Sequence, residues 1–336
     1  MRKTLGIFSL LAAIFFLTGL LESNFFSQKS YFFDGGNIYN MAKWTGLFGI
    51  LAIGVCFVIV TGGIDLSIGS LIGLTGALFP LLLVNKGTPV WAGFAIVLLL
   101  AASIGLIHGL LITKLRLQPF IVTLCGLFIY RGIARYMTGE MNQGFGNSFS
   151  GLRQLVKFKV FGFVPMPFAI LIVTGIIAAV FLNRTIYGRY LLALGRNESA
   201  ARYSGINTDR MVITAYTICS LLAGVGGILF ALEQNSVQPS TFGNFYELYA
   251  IAGAVLGGCS LRGGEGAVVG VVCGAAMLEV IRNAVIFLDV KTESEFTVIG
   301  FVILIGVTVD ELVKRFSDRQ SAIRRQKEVV DSPESA

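Results

Sequence analysis

The chain has 336 residues, of which 55% are hydrophobic and only 13% carry a charge, and its mean hydropathy is +0.78. A soluble globular domain has no need of that much apolar surface, so the composition predicts a protein embedded in lipid. The net charge of +7 does not indicate nucleic-acid binding, because the basic residues lie in short loops between apolar runs and no nucleic-acid-binding motif accompanies them.

Ten apolar segments follow one another along the chain. A bilayer core about 30 Å thick takes roughly 20 apolar residues as a helix, so the pattern predicts an all-α membrane protein of about ten transmembrane helices. The first segment is interpreted as a retained span, because it is long for a signal peptide and no A-x-A cleavage site follows it. The segments are 5–21, 44–60, 68–85, 91–112, 118–137, 166–182, 211–232, 248–259, 267–286 and 296–309.

The distribution of basic residues predicts how the chain is oriented. If the N-terminus is cytoplasmic, ten crossings return the C-terminus to the same side, and most lysines and arginines then fall in inner segments, as the positive-inside rule requires. We expect one transmembrane domain over residues 1–316 and a charged cytoplasmic tail over residues 317–336. Two longer loops stand out, an outer one at 138–165 and an inner one at 183–210.

Cysteine and histidine usage does not suggest a metal site or a disulfide framework. The five cysteines lie in or beside apolar runs and show no C-x-x-C spacing, so they are interpreted as small buried hydrophobic side chains. The single histidine, His108, has no second candidate ligand near it in sequence and is interpreted as a packed or pore-lining residue. No metal-binding residue is predicted.

The segment TGGIDLSIGS, residues 61–70, interrupts the apolar runs with glycines and one acid. Irregular backbone at membrane depth is tolerated only against protein or a water-filled cavity, and glycine permits such a break. A carboxylate at a helix centre costs about 2.5–3.5 kcal/mol on insertion scales, so Asp65 is expected to face a cavity, a cap or the interface. We interpret Asp65 as structural, an N-cap for a helix that opens at Leu66.

A second break, LGGCSLRGGEGAVVG at residues 256–270, resembles the first. An alignment of Gly62 with Gly257 gives G-G-x-[D/S]-L twice and makes Ser260 the capping counterpart of Asp65. In transporters, paired glycine-interrupted segments point to the transport pathway. The alternative is two glycine-rich turns at helix packing contacts. The candidate pathway residues in the two breaks are Gly62, Gly63, Asp65, Ser67, Gly69, Gly257, Gly258, Ser260, Gly263 and Gly264.

A third intramembrane feature is MLEVIRNAV, in which Glu279 and Arg282 lie three residues apart on the expected helix. Side chains at this spacing are neighbours on a helix surface, so the two are expected to form a self-neutralised pair, with a proton relay as the alternative. Asn283, the next residue, is included among the candidate pathway residues.

The inner loop contains GRNESAARYSGINTD, which reads as a short helix with its own end signals. Asn197 is a good N-cap, Glu198 suits the positive end of a helix, and Gly205 can close the helix in a left-handed conformation. The helix predicted over 198–204 has about two turns and is not stable alone in water. We therefore expect it to dock on the membrane surface or on a cytoplasmic partner.

Three segments together resemble the permease subunits of ribose-type ABC importers: TGGIDLSIGS, ALGRNESAARYSGIN, and LGGCSLRGGEGAVVG followed by NA. They occur in the family's order, and the resemblance covers about residues 44–310. Two positions depart from the usual pattern. Cys259 stands where a small polar residue, often Thr, is expected, and Arg282 stands where a neutral residue is expected. Both lie near the expected pathway, so the resemblance specifies the family more closely than the substrate.

The resemblance implies a subunit that translocates a monosaccharide across the bacterial inner membrane. It also implies three partners: a cytoplasmic sugar-type ATPase, a periplasmic sugar-binding protein and a second permease copy, identical or paralogous. ATP binding by the ATPase would move the inner-loop helix and tilt the spans around the two breaks. The residues that would couple the chain to the ATPase are Arg196, Asn197, Glu198, Ala200, Ala201, Arg202, Ser204 and Gly205.

The residues alone are in accord with a pore subunit that is not an enzyme. No G-x-x-x-x-G-K-[ST] phosphate-binding loop occurs, so ATP and Mg²⁺ are expected on a partner and no cofactor on this chain. No cluster of His, Cys or carboxylate residues suggests a catalytic site.

Two transport alternatives stay open. The first is a permease for branched-chain amino acids, whose zwitterionic substrate would require charge complementarity in the pathway. The second is a secondary transporter that works without ATP. It would need an intramembrane ion or proton site, for which only Asp65, Glu279 and Arg282 are available. Its inner-loop helix would then lie on the membrane surface.

Overall fold

The computed structural model consists almost entirely of helices. A small antiparallel hairpin, β1 (Lys159–Val160) and β2 (Val164–Pro165), lies between the sixth and seventh helices. The structure describes residues 2–22, 31–289, 291, 294–301, 304, 305 and 308. The helices are α1 (Arg2–Glu22), α2 (Gly35–Val60), α3 (Ile68–Pro80), α4 (Val90–Lys114), α5 (Pro119–Thr138), α6 (Ser150–Lys157), α7 (Met166–Arg184), α8 (Ile186–Arg196), α9 (Glu198–Tyr203), α10 (Thr208–Gln234), α11 (Tyr246–Leu256) and α12 (Val268–Phe287).

The all-α prediction is confirmed. Within the described residues, eight helices are long and apolar enough to cross a membrane, and α11 is a shorter apolar helix. Nine of the ten predicted segments correspond to these helices. The tenth, 296–309, falls in a second unit that begins at Lys291, where residues 295–301 are helical and most others lie outside the described part. The predicted tail, 317–336, lies wholly outside it.

Local signals explain several helix boundaries. α2 begins after Asp34, whose carboxylate accepts a hydrogen bond from the Gly36 amide at 2.9 Å, as an N-cap residue does. α3 ends at Pro80 and continues as a π-helical turn, Leu81–Asn85. The change of helix type follows from proline, which has no amide hydrogen to donate and crowds the preceding turn.

α2 is the central helix of the first unit. It packs against α7, α10, α11 and α12, and its residues from Thr45 to Val60 are all buried. The outer helices α1, α4, α5 and α7 instead leave many apolar side chains exposed. This pattern is expected when lipid is the solvent, because apolar surface then carries no penalty for exposure.

Contacts between chain-distant residues define two ends of the bundle. At one end Lys114, the last residue of α4, pairs with Asp209 in the first turn of α10 at 2.7 Å. We call this the α9 end. At the other end, the α6 end, Lys43 of α2 pairs with Glu233 of α10 at 2.8 Å. The loops before α6 and after α10 also meet there, where Gln143 and Val237 exchange backbone hydrogen bonds.

Candidate functional site

The first break occupies residues 61–67, between α2 and α3. Gly62 has a φ of +83°, its amide donates to Ile59 O at 2.8 Å, and the Gly63 amide donates to Val58 O at 3.2 Å. These two bonds form a Schellman motif, which ends a helix with a left-handed residue and satisfies its last carbonyls. Gly62 is therefore needed here for its conformation, since left-handed dihedrals are costly for other residues.

Asp65 is fully buried and closes a turn just before α3. Its Oδ1 accepts hydrogen bonds from the Ser67 amide at 2.9 Å and from the Ser67 hydroxyl at 2.7 Å. The helix begins at Ile68, two residues later than the predicted Leu66. Its N-cap is Ser67, which makes no side-chain capping bond, so the predicted N-cap role of Asp65 is wrong. The Asp65 carboxylate instead bonds the backbone two residues on, in an Asx turn that leads into α3. The preceding Ile64 carbonyl accepts from the Tyr216 hydroxyl at 3.1 Å, so α10 also holds this break.

The second break occupies residues 257–267, between α11 and α12. It starts with the same motif: Gly258 has a φ of +89°, its amide donates to Val255 O at 2.8 Å, and the Cys259 amide donates to Ala254 O at 3.0 Å. The backbone therefore matches Gly62 with Gly258. The predicted pairing of Gly62 with Gly257 is wrong by one residue, because Gly257 still has helix-like dihedrals at the end of α11.

The predicted cap of the second break is also wrong. α12 begins at Val268 after Ala267, which makes no side-chain capping bond, so Ser260 does not cap this helix. The intervening loop is longer than its counterpart and turns back on itself, with the Ser260 amide donating to Glu265 O at 3.1 Å. Gly263 and Gly264 have φ values of +85° and +75°, which allow this reversal.

The two breaks are in direct backbone contact. The Gly264 amide donates to Val60 O, at the end of α2, at 2.8 Å. A Cβ built on Gly263 would lie 2.9 Å from the Gly62 amide nitrogen and 2.8 Å from the Gly195 carbonyl oxygen. Separations this short leave no room for a side chain. The second break is therefore pressed against the first at the α9 end of the bundle.

The last turn of α8 completes the contact. A Cβ on Gly195 would overlap both Val60 O and the Gly264 amide nitrogen, and one on Gly264 would lie 2.8 Å from the Arg196 amide nitrogen. We call this set, Val60, Gly62, Gly195, Gly263 and Gly264, the glycine junction. Sequence reasoning missed Gly195. The available signal was a glycine inside a helix, where it costs about 1 kcal/mol relative to alanine without a packing reason.

α8 is held in place by its start and by one face. The Thr185 hydroxyl accepts from the Gly188 amide at 3.1 Å, which caps the helix. Leu191 and Leu194 are buried on the inner face, whereas Tyr187 is exposed on the other. The helix therefore ends at the glycine junction in a defined position, directly before α9.

The short helix predicted over 198–204 is present as α9, Glu198–Tyr203. Asn197 Oδ1 accepts from the Ala200 amide at 2.9 Å. Gly205 has a φ of +81° and closes the helix with another Schellman motif, in which the Ile206 amide donates to Ala201 O at 3.1 Å. Both predicted end signals, Asn197 and Gly205, are confirmed. They could be predicted because each acts on backbone groups only a few residues away.

One side of α9 is anchored and the other is open. The Arg202 guanidinium contacts Glu198 Oε1 at 3.0 Å, Thr208 Oγ1 at 2.9 Å and Asp209 Oδ1 at 3.4 Å, while Ala201 is buried beneath the helix. Tyr203 is 94% exposed. Exposed ion pairs of this kind contribute little stability, about 0–1 kcal/mol each, so they set the orientation of α9 more than they hold it down.

A cavity of about 700 Å³ opens between the first break and α9. Its wall also includes the turn between α4 and α5 and the first turns of α10. Backbone, hydroxyl and charged groups share the lining with apolar side chains such as Ile112, Leu117 and Leu194, so the cavity suits contents or a partner segment with both kinds of surface. The residues that define it include Thr61, Gly62, Gly63, Arg116, Gln118, Glu198, Ser199, Arg202, Tyr203, Thr208, Asp209 and Tyr216.

Comparisons with known proteins assign the family. The model of the branched-chain amino acid transport system permease component matches residues 37–307. The chain belongs to this permease family. The ribose import permease of Escherichia coli K12 is 39% identical to it over 83% of this chain and 87% of the relative. The D-allose permease of the same strain is 30% identical and covers 92% of both chains. The xylose permease is 29% identical, over 92% of this chain and 91% of the relative. No solved structure matches the chain.

Membership of this family makes the chain a multi-pass protein of the bacterial inner membrane and a pore subunit. The importers of the family work with an ATPase and a substrate-binding protein. Within the described residues of the permease, no group of three or more His, Cys, Asp or Glu side chains is arranged to hold a metal ion. His108 is a packed residue: its Nε2 lies 2.6 Å from the Tyr130 hydroxyl, and its ring meets Tyr216 edge-on.

The structure brings only some of the candidate pathway residues of the permease together. Gly62, Gly263 and Gly264 meet in the glycine junction, and Gly62 and Gly63 also line the cavity. Asp65 and Ser67 are fully buried, and Gly69 packs against Gly243 and Glu247. These three support the backbone and do not line the cavity.

Asn283 lies elsewhere in the permease. It is fifteen residues along α12 from Val268, about 22 Å from the second break at the helical rise. Beside it the Arg282 guanidinium lies over the Trp44 ring at 5.4 Å and within 3.8 Å of Glu279. The expected pairing of Glu279 with Arg282 is thus present. The structure places this cluster far from the junction that the breaks form.

Proposed function

We propose that this permease is the translocation subunit of an ATP-driven importer for a ribose-type monosaccharide. Relatives named for ribose, D-allose and xylose match most of the chain, which supports a sugar even though the family model is described by branched-chain amino acids. A neutral sugar needs hydroxyl-matching groups and no fixed charge. Asp65 is buried in its turn with Ser67 and does not line the cavity, which is in keeping with an uncharged substrate.

The glycine junction is the observation that supports ATP-driven coupling. α9 follows α8 directly, α8 ends in contact with both breaks, and no side chain separates the three backbones. A force applied to α9 would therefore reach Val60 and Gly264 without being absorbed by side-chain rearrangement. Displacement of Val60 and Gly264 would tilt α2, which ends at the first break, and α12, which begins at the second. This tilt would open the pathway to one side of the membrane and then to the other.

We place the α9 end in the cytoplasm and the α6 end in the periplasm, as the positive-inside rule favours. A sugar-type ATPase, holding ATP and Mg²⁺, would then bind the open side of α9, and its contacts would include Glu198, Ala200 and Arg202. A periplasmic sugar-binding protein would deliver substrate to the α6 end. A second copy of the permease would complete the pore by covering apolar surface such as that of α5, where Phe128 is 69% exposed.

Isolation of the tagged permease from its native membrane tests the partner assignment. Recovery of a P-loop ATPase with the wild-type chain is expected. Tyr203→Ala should lower that recovery several-fold and leave the amount of folded permease unchanged, because the side chain makes almost no contact within the chain. The control is Tyr136→Ala, an equally exposed tyrosine near the opposite end of the bundle. An active transporter isolated without any ATPase, even after crosslinking, would point to the secondary-transport alternative.

Uptake into proteoliposomes tests the substrate class. Vesicles containing the permease, its ATPase and the binding protein should accumulate labelled ribose or a related pentose or hexose only with internal ATP. Leucine and valine, supplied with the same binding protein, should not accumulate. ATP-dependent uptake of a branched-chain amino acid in place of sugar would overturn the sugar assignment while leaving the importer assignment intact.

A further inference from the structure

Two thiols lie against each other beside the glycine junction. Cys56 is on α2, one turn before Val60, and Cys259 follows the left-handed Gly258 at the start of the second break. Their sulphur atoms are 3.3 Å apart, with the Cys259 thiol donating to the Cys56 sulphur. Both side chains are buried, and both thiols are free.

The surroundings leave space for these sulphurs to approach further. Gly266 faces the pair, and a Cβ there would lie 3.1 Å from Cys259 Sγ and 3.4 Å from Cys56 Sγ, so the missing side chain keeps that side clear. A disulfide bond is about 2.05 Å long, so the sulphurs need to move together by little more than about 1 Å. Cys259 is in the non-helical break, so this movement requires no helix to unwind.

We propose that Cys56 and Cys259 form a disulfide under peroxide stress and that this bond locks the two breaks together. In the reducing cytoplasm the pair stays as thiols. Hydrogen peroxide is the oxidant that suits the site, because it is small and uncharged and can reach a buried sulphur through fluctuations of the break.

The reaction balances in two steps. One thiol is oxidised by hydrogen peroxide to a sulfenic acid, with cleavage of the O–O bond and release of one water. The sulphur of the second thiol then attacks the sulfenic sulphur, the S–S bond forms, and the hydroxyl leaves with the thiol proton as a second water. The two sulphurs together lose two electrons, and the peroxide gains them. A dithiol reductant reverses the change by thiol–disulfide exchange.

The bond would stop transport because of where it lies. It would tie the last turns of α2 to the second break, next to the hydrogen bond from the Gly264 amide to Val60 O. This consequence rests on the proposed function, in which α2 and α12 tilt about the two breaks, and it requires that the two helices tilt relative to each other. Formation of the bond does not rest on it, because the bond depends only on the distance and the oxidant.

The test uses membranes that contain the complete transporter. They are treated with hydrogen peroxide, quenched with an alkylating reagent, and divided between non-reducing peptide mapping by mass spectrometry and uptake measurements. A linked Cys56–Cys259 peptide is expected, with uptake falling in proportion to the linked fraction and returning after dithiothreitol. Cys56→Ser and Cys259→Ser should each abolish the linked peptide, and peroxide should no longer lower the uptake that each variant shows. Cys273→Ser, at a half-buried thiol on α12, is the matched control and should behave as wild type.

The outcomes separate the steps of the proposal. Absence of the linked peptide when the exposed Cys125 is oxidised in the same sample would overturn it. A fully linked permease with unchanged uptake would overturn the lock. If a serine variant does not fold, the alanine variant at the same position replaces it. Failure of the importer assignment would appear as uptake that never depends on ATP. The peptide map would still report whether the disulfide forms, because it does not depend on transport.

Discussion

The two breaks end their first helix in the same way and begin their second helix differently. Gly62 and Gly258 each close a helix with a Schellman motif. After that, the first break is short and is held by the hydrogen bonds from Ser67 to the buried Asp65 carboxylate, whereas the second is longer, turns back on itself and exposes Leu261 and Arg262. The two breaks therefore have different structural roles. Side-chain hydrogen bonds from Ser67 and Tyr216 hold the first break, whereas the second break extends to the last turn of α8 and contacts it there.

The largest effect is expected at the residue that touches both breaks. In Gly195→Ala the new methyl group would overlap Val60 O and the Gly264 amide nitrogen, and backbone atoms cannot rotate away. Overpacking of this kind costs about 1–3 kcal/mol or more, so we expect a lower melting temperature in detergent and loss of uptake. Gly132→Ala on α5, where a Cβ meets nothing within 4 Å, is the control. Normal uptake by Gly195→Ala would show that α8 and the breaks need not touch.

The next prediction compares one left-handed glycine from each break. In Gly62→Ala the nearest atom to the new Cβ is Arg262 O at 3.8 Å, so only the dihedral penalty of about 1–2 kcal/mol applies. In Gly264→Ala the same penalty is joined by a contact 2.8 Å from the Arg196 amide nitrogen.

Gly264→Ala should therefore unfold at a clearly lower temperature than Gly62→Ala and transport less. Equal melting temperatures for the two variants would contradict the idea that the second break is the one pressed against α8.

Asp65 gives an intermediate effect that separates its structural role in the turn from a chemical role. Asp65→Ala removes the acceptor for the Ser67 amide and hydroxyl, and each hydrogen bond of this kind contributes about 0.5–1.5 kcal/mol. Asp65→Asn retains an oxygen at the same place, so it should keep most of the stability and uptake that the alanine variant loses. If Asp65→Asn folds with a normal melting temperature but does not transport, the carboxylate has a chemical role beyond the turn.

The smallest effect is expected from the bond that ties the first break to α10. Tyr216→Phe removes the hydroxyl that donates to Ile64 O, and a single hydrogen bond contributes about 0.5–1.5 kcal/mol. The Thr123 hydroxyl lies 3.4 Å from the same carbonyl and can compensate in part. A small drop in melting temperature with uptake retained is expected. Abolished uptake at normal stability would instead place Tyr216 in direct contact with the substrate, since it also lines the cavity.

Some features of the site were predictable because they are local. The end signals of α9 lie within nine residues, and the hydrogen bonds that they make join groups three to five positions apart. The presence of both breaks followed from glycines in apolar surroundings. The register between the breaks did not follow, because Gly257 and Gly258 are interchangeable in sequence and only the dihedral angles tell which of them is left-handed.

The sequence alone determined that the chain is a helical membrane protein and where most of its spans fall. It also determined where two of the spans break and that a short helix lies in the loop 183–210. Each of these depends on composition or on hydrogen bonds between near neighbours. Only the tertiary structure decided that the breaks touch, that Gly195 joins them to α8, that Cys56 meets Cys259 and that Asn283 lies far away. Those facts depend on how closely separate backbones approach, which packing of the whole bundle sets and no local pattern encodes.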